Sequence, residues 1–314
     1  MLPSISICVP AYKRTDYLSR LLDSVALQTY KNFEVIITDD SPDNSIEELC
    51  KTYTVQFELH YFKNTKNLNT PENWNESVRK SKYEWIKIIH DDDWFADKDS
   101  LLNYAEAISS QPNVDFFFSA YSNVYEGTGI KQQIFLSTFW KYVISGNMET
   151  LISRNVVGPP SVTIYRKNSI TYDHSMKYVV DIDFYCQYCK GKSWAYIDKP
   201  LMNVGINEAQ VTKYTYGVAE VQLKESLLML EKKDLLIFRN INVYDGWWRL
   251  IRNFEITQPE DIINIGYSKL IPSVLTNMIS IQSFIPFQLL KIGLVSKIVM
   301  SFSYLKFLFF EKKN

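Results

Sequence analysis

Trp85-Ile86-Lys87-Ile88-Ile89-His90-Asp91-Asp92-Asp93-Trp94 is the stretch on which the reading of this chain turns. An apolar run passes directly into three consecutive carboxylates. Like charges this close repel, and a folded chain rarely crowds them at a strand end unless a cation sits there. Oxygen ligands suit Mg²⁺ or Mn²⁺, and Mg²⁺ is commonly held by one or two carboxylates plus substrate phosphates. A strand ending in such a cluster therefore suggests a metal carrying a diphosphate. A solvated acidic turn that caps the next helix is the plainer alternative, and the cluster alone does not choose between them.

The flanking sequence adds weight. Segments 5–9, 33–38, 57–62, 85–89 and 114–120 read as strands. Segments 16–28, 45–53, 71–81 and 100–110 read as helices. In the first helix Leu18, Leu21, Leu22 and Val25 recur at helical spacing, with Thr15 or Asp16 as N-cap. Strand–helix alternation implies a parallel sheet with helices on both faces, and such sheets bind ligands beyond the carboxyl ends of their strands. Tyr12-Lys13-Arg14 follow the first strand, Asp39-Asp40 the second and Asp91-Asp92-Asp93 the fourth. Three strand ends thus converge on one crevice. The chain has no Gly-x-Gly-x-x-Gly and no Gly-x-x-x-x-Gly-Lys-Ser/Thr, so a dinucleotide fold or P-loop has no support.

Composition excludes other classes. An apolar fraction of 46% supports a packed core rather than disorder. With 34 basic and 35 acidic residues there is no global basic field for nucleic acid. Cys186-x-x-Cys189 lacks two further ligands of its type and reads as two buried helical thiols. Together with Cys8 and Cys50, it fits a reducing cytoplasm without disulfides. Ser4 to Pro10 enters a strand at once, so no secretory leader is expected.

From about Tyr214 the pattern changes to helices over 218–232 and 234–254, then a strongly apolar stretch. Segment 284–310 carries only Lys291, Lys297 and Lys306 as charges. No charge-free run is long enough to span a bilayer. The lysines fall within one half of a helical wheel, which suits a helix lying in a membrane interface. Lys312 and Lys313 would add attraction to anionic lipid. Packing on its own domain or on a dimer partner is the alternative.

Residues 4–212 resemble inverting family-2 glycosyltransferases of the GT-A fold. The resemblance rests on Ser6-Ile7-Cys8-Val9-Pro10-Ala11-Tyr12-Lys13-Arg14, on Ser24-Val25-Ala26-Leu27-Gln28-Thr29-Tyr30 and on Glu34-Val35-Ile36-Ile37-Thr38-Asp39-Asp40-Ser41. It continues through Asn67 to Asn75, the acidic cluster, Gly158-Pro159-Pro160-Ser161 and Asp181-Ile182-Asp183. It implies an α/β fold, a Rossmann-like and mostly parallel sheet flanked by helices, with a helical, apolar C-terminal extension. The implied domains are 1–213, catalytic, with a nucleotide half 1–120 and an acceptor half 121–213, and a helical region 214–314.

The resemblance also implies roles. Pro10, Tyr12, Arg14, Asp39, Asp40, Asn67 and Asp91 would surround the nucleotide, Tyr12 stacking on a uracil and Asp39 accepting from the base. Asp92 and Asp93 would serve Mn²⁺ or Mg²⁺. The register is open: a D-x-D-D-W match sets His90 at the first Asp and Asp92 at the metal ligand, whereas a literal D-x-D takes Asp91 and Asp93. Asp93 could instead cap the next helix or orient its neighbours. Asp181 would be the general base and Asp183 the structural member of the pair, the alternative being that both merely cap the helix, and Gly158, Pro160 and Ser161 would border the acceptor.

The chain departs from the family pattern in several places. No glycine follows Asp39-Asp40, Asn69 replaces a common glycine, Val180 stands for Glu, and Gly205 and Asn207 stand for Arg and His. Arg14, Lys66 or Lys213 are candidates to make the diphosphate contact so lost. The implied activity is inverting transfer from a nucleotide-diphosphate sugar, UDP-linked, to a saccharide or lipid-diphosphate-linked saccharide. That reaction belongs to surface polysaccharide assembly at the cytoplasmic membrane face. A degenerate GT-A domain that only binds sugar or protein is the alternative.

Overall fold

Short apolar runs build the first strands of this computed structural model, which describes residues 2–207 and 214–311. Strands β1 (Ile5–Ala11), β2 (Phe33–Asp39) and β4 (Trp85–Ile88) are buried almost throughout, as strands covered on both faces must be. With β3 (Leu59–Lys63) they pair in parallel in the spatial order β3-β2-β1-β4. Helices α1 (Thr15–Ala26), α2 (Ser45–Lys51) and α3 (Glu72–Lys80) make the crossovers. The order reverses at β1, so a crevice opens between the ends of β1 and β4.

Beyond β4 the sheet becomes mixed. After β5 (Trp94–Phe95) and α4 (Ser100–Ser110) come β6 (Phe116–Tyr125), β7 (Lys131–Ile134), β8 (Thr163–Arg166) and β9 (Trp194–Ile206). The full order is β3-β2-β1-β4-β8-β6-β9-β5, with β7 paired to β6. β8 runs antiparallel to both β4 and β6, β5 antiparallel to β9, and β6 parallel to β9. The strand–helix rhythm that makes the first four strands parallel does not extend to β8, which pairs antiparallel on both sides and so is not placed by a parallel crossover. The mostly parallel sheet with flanking helices and a helical C-terminal region is as expected.

Local boundaries also shift. Thr15 is already helical, and Arg14 occupies the N-cap of α1 without a side-chain cap bond, so neither Thr15 nor Asp16 caps it. The third strand starts at Leu59, while Phe57 packs on the rings of Phe33 and Tyr53 at 6.0 and 6.1 Å. Asn69 takes φ 59°, the left-handed conformation that asparagine tolerates.

The chain divides into two compact units. One comprises Met1–Tyr142, Val156–Met176 and Asp183–Gln210; the other comprises Val143–Asn155, Lys177–Ile182 and Val211–Asn314. The first is built on the sheet, with Ile7, Leu21, Val35, Ile37, Leu101 and Phe117 in its core. Its boundary with the second falls twice near short helices, α5 (Thr138–Gly146) and α6 (Val180–Tyr188). The second unit is helical. It contains α7 (Ala219–Glu231), α8 (Ile241–Asn253), α9 (Pro259–Asn264), α10 (Ser273–Ser283), α11 (Phe287–Leu290) and α12 (Gly293–Glu311) around Trp247 and Trp248, both fully buried.

Two long helices of the sequence reading are broken. Segment 234–254 splits into a 3₁₀ turn (Leu235–Arg239) and α8, because Asn240 is extended and its side chain accepts the Asn242 N–H. In segment 284–310, Pro286 precedes α11, and Lys291 and Ile292 separate α11 from α12. In α12, Ser296 and Ser303 face inward and hydrogen-bond Trp248 Nε1 and the Tyr244 hydroxyl at 3.0 and 2.7 Å. Leu294, Ile298, Phe302, Leu305 and Phe309 are exposed. Among the described residues no helix is long and apolar enough to cross a membrane. Gln210, Thr212, Lys213, Lys312 and Lys313 lie outside them.

Candidate active site

The acidic cluster is fixed from both ends. Ile89 still donates its N–H to Cys8 on β1 at 2.9 Å, and Asp93 N–H closes a turn on the His90 carbonyl at 3.0 Å. The next two residues, β5, pair with Asn203 and Met202 of β9. Asp91, Asp92 and Asp93 are consequently buried, at 3, 7 and 2% exposure. Burying adjacent carboxylates is costly unless something compensates them.

Arg14 compensates two of them across the crevice. Its guanidinium grips Asp91 through Nε at 3.2 Å and through Nη2, and reaches Asp92 through Nη1 at 3.3 Å. Asp92 also accepts from Asn207 Nδ2 at 3.1 Å, and Asp93 accepts the Gly205 N–H at 3.0 Å. Asp93 therefore anchors β9 rather than capping α4. Arg20, stacked 3.8 Å from the Trp94 ring centroid, holds the Asp92 carbonyl and Glu126, each at 2.9 Å. Gly205 and Asn207, which replace the family's Arg and His, are thus partners of the acidic cluster itself.

His90, Asp92 and Asp93 each bring one ligand atom to within 4.8 Å of the others. Asp91 is not part of this set. His90 Nε2 is buried and has no hydrogen-bond partner among the described residues, while its ring lies 4.6 Å from that of Trp74. Burial holds the imidazole down to about 4, so it is neutral with a lone pair to give. Burial and the neighbouring Asp92 push Asp93 well above the carboxylate range; burial raises Asp91 to about 7 against the pull of Arg14. A nitrogen and two carboxylates that cannot comfortably all ionise fit a divalent cation. A second set, Glu34, Glu58 and His60, already holds the Lys82 ammonium 2.5 Å from Glu58 and the Lys82 N–H 2.8 Å from Glu34. It lies outside the strand-end crevice.

The second strand end is tightly organised. Buried Asp39 accepts from Ser41 N at 2.7 Å, Tyr61 Oη at 2.7 Å and Lys63 Nζ at 3.0 Å. A carboxylate has about four acceptor sites, so one stays open. Asp40 accepts from Asn64 Nδ2, Leu68 N and Asn69 N at 2.8, 3.0 and 2.9 Å, and so shapes the 64–69 loop. Asn67 closes that loop through Asn69 N at 2.9 Å. Pro10 sits near the end of β1, and Tyr12 just beyond it presents 43% of its surface to solvent, with Lys13 Nζ 4.8 Å from its ring centroid. Arg14 is engaged with the acids, and Lys66 is exposed.

In the turn before β8, Ser161 Oγ accepts the His90 N–H at 3.0 Å and bonds Asp93. Gly158 has φ +105°, and a Cβ there would lie 2.8 Å from Tyr121 Cε1, so only glycine fits. Pro160 opens the buried turn that carries Ser161. Beneath it, fully buried Lys87 donates to the Ser161 carbonyl and to that of Thr163 at 3.2 Å. Burial lowers its pKa well below the ordinary lysine value. Asp181, in the helical unit, accepts from Ile182 N and Asn155 Nδ2, both at 2.8 Å, and burial pushes its carboxyl up to about 7. Asp183 accepts from Gln187 Nε2 at 2.6 Å. The sequence reading passed over Lys87, Arg20 and Glu126. Lys87, a cation inside an apolar strand, was the one visible signal.

Residues 6–171 match the glycosyl transferase family 2 profile, more than half of the chain, and the protein belongs to that family. An uncharacterized glycosyltransferase of Haemophilus influenzae is 33% identical over 114 residues, covering 36% of this chain and 37% of that one. The match thus spans little more than a third of that relative's length. S. aureus TarS 1-349 in complex with UDP-GlcNAc superposes with TM-score 0.56 at 19% identity, covering 83% of each chain. The mannosyltransferase PcManGT from Pyrobaculum calidifontis, in complex with GDP-Man and Mn²⁺, superposes with TM-score 0.53 at 12% identity, covering 96% of this chain and 74% of that one. At these identities the likeness is one of fold, which is GT-A-like.

Proposed function

We propose that this chain transfers a sugar from a UDP-sugar to a saccharide or lipid-diphosphate-linked saccharide, with inversion, in surface polysaccharide assembly. The observation that carries the reading is the bond from Arg14, after β1, to Asp91 and Asp92, after β4, at the switch point of a family-2 chain. UDP-GlcNAc in a TarS structure of the same fold favours a UDP donor.

His90, Asp92 and Asp93 would hold the divalent cation, Mn²⁺ rather than Mg²⁺ because an imidazole is among the ligands. When bound, it supplies charge neutralisation for the departing diphosphate. Tyr12 offers a face to the uracil, while Asp39, Asp40 and Asn67 shape the base and ribose side. Asp181 takes the proton of the acceptor hydroxyl as its oxygen bonds to the anomeric carbon; the bond from that carbon to phosphate oxygen breaks and UDP leaves with the electron pair. Arg14, bonded to Asp91 and Asp92, would pass from the acids to the diphosphate.

The test is a panel of UDP-, GDP- and dTDP-sugars with Mn²⁺, reading released nucleotide with and without EDTA. EDTA-sensitive release from a UDP-sugar supports the reading. No release and no nucleotide binding, even with a lipid-linked acceptor, would replace it with a sugar-binding module.

The exposed row Leu294, Ile298, Phe302, Leu305 and Phe309, with Lys297 and Lys306 on the same helix, favours peripheral contact with an anionic membrane face. Flotation with vesicles containing anionic lipid should carry the protein upward; equal behaviour after removal of 284–314 would rule this out.

A further inference from the structure

Glu225 is a buried acid for which the transfer chemistry has no use. It lies on α7 at 6% exposure, and its carboxylate receives three consecutive backbone N–H groups. Lys177 donates to Oε1 at 2.9 Å; Tyr178 and Val179 donate to Oε2 at 2.7 and 3.2 Å. All four residues belong to the helical unit. The donors immediately precede α6, whose first N–H groups have no partners within the helix and whose N-terminus favours negative charge. A carboxylate so occupied is committed to holding backbone.

What it holds leads directly to Asp181, the second residue of α6. The Asp181 carboxylate is oriented by Ile182 N and by Asn155, both in the same unit. Its direction therefore follows from where the 177–182 backbone begins its helical turn. No acidic side chain at position 180 can help, since Val180 is apolar and buried.

We propose that Glu225 is a positioning residue that fixes the 177–179 backbone and thereby aims Asp181. This rests on Asp181 being the general base. A well-aimed base matters because small displacements of a reacting group are heavily penalised, about 100-fold for roughly 1 Å.

The experiment compares Glu225→Ala, Glu225→Gln, Asp181→Asn and Leu275→Ala as full chains, using whichever UDP-sugar the wild type turns over fastest with Mn²⁺. Leu275 is a fully buried core residue of the same unit and serves as the destabilised control. The expected result is a kcat loss on the order of 100-fold in Glu225→Ala with donor KM unchanged. Glu225→Gln, which keeps one acceptor oxygen, should fall between, and Leu275→Ala should keep its kcat. If Glu225→Ala does not fold, Glu225→Gln carries the same comparison. Wild-type kcat in the Glu225 variants, or equal loss in Leu275→Ala, would overturn the inference while an inactive Asp181→Asn left the base assignment standing. Normal turnover in Asp181→Asn would bring down both.

Discussion

A Cβ placed on Gly205 would lie 2.5 Å from the backbone carbonyl of Asp92. The same glycine donates its N–H to Asp93. The strand that backs the acidic cluster thus approaches too closely for any side chain. Gly205→Ala should push β9 from the cluster, costing about 1–3 kcal/mol as overpacking does. Thermal unfolding together with Mn²⁺ titration should show both a lower Tm and weaker metal binding. Retention of both would show that the carbonyl can move freely.

Arg14 neutralises Asp91 and Asp92 without metal. Breaking a buried pair costs about 3–5 kcal/mol, but Arg14 is a third exposed, so about 1–2 kcal/mol is expected after solvent screening. Arg14→Ala should therefore lose Tm without metal and recover more than wild type when Mn²⁺ is added. Equal Mn²⁺-induced shifts in the two proteins would count against a shared counter-ion role.

His90 gives the cluster an imidazole where carboxylates alone would favour harder cations. His90→Ala should lower Mn²⁺ affinity by at least about tenfold, and His90→Asp should narrow the preference for Mn²⁺ over Mg²⁺. Calorimetry without donor reads this directly. Asp92→Asn should abolish binding, whereas unchanged affinities in the His90 variants would leave the metal to the aspartates.

Asp181 titrates near 7 because it is buried, against the bonds from Ile182 N–H and Asn155. Nearby Tyr178 stays neutral, its phenol pushed up to about 12. A base must be deprotonated, so kcat should rise with pH through about 7 and level off above it. Stability has the opposite sign. Between the ordinary carboxylate range and 7 the folded chain binds the proton more tightly than the unfolded one, so stability falls as pH rises across that window. Asp181→Asn should abolish turnover and flatten the stability profile, and a stability profile unchanged in that variant would assign the titration to another group.

The parallel half was legible because its signals are local. Apolar runs such as 33–39 and the helical spacing of Leu18, Leu21, Leu22 and Val25 report burial directly. The strand-end positions of Arg14, Asp39 and Asp92 followed from that rhythm. The direction of β8 and the pairing of β5 with β9 depend on contacts far apart in sequence, and no periodicity encodes them. Gly205 and Asn207 looked like losses against the family pattern, yet both bond the acidic cluster. Lys87 lies within an apolar run, yet its side-chain nitrogen holds the carbonyls on either side of Val162.

All four thiols of the chain are buried: Cys8, Cys50, Cys186 and Cys189. Burial pushes the Cys8 and Cys50 sulfhydryls up to about 12, so neither offers thiolate near neutrality. The native protein should accordingly react slowly with maleimides and disulfide reagents. A single cysteine introduced at an exposed site such as Leu294 would be the one reactive handle, and a probe there would need no cysteine-free background.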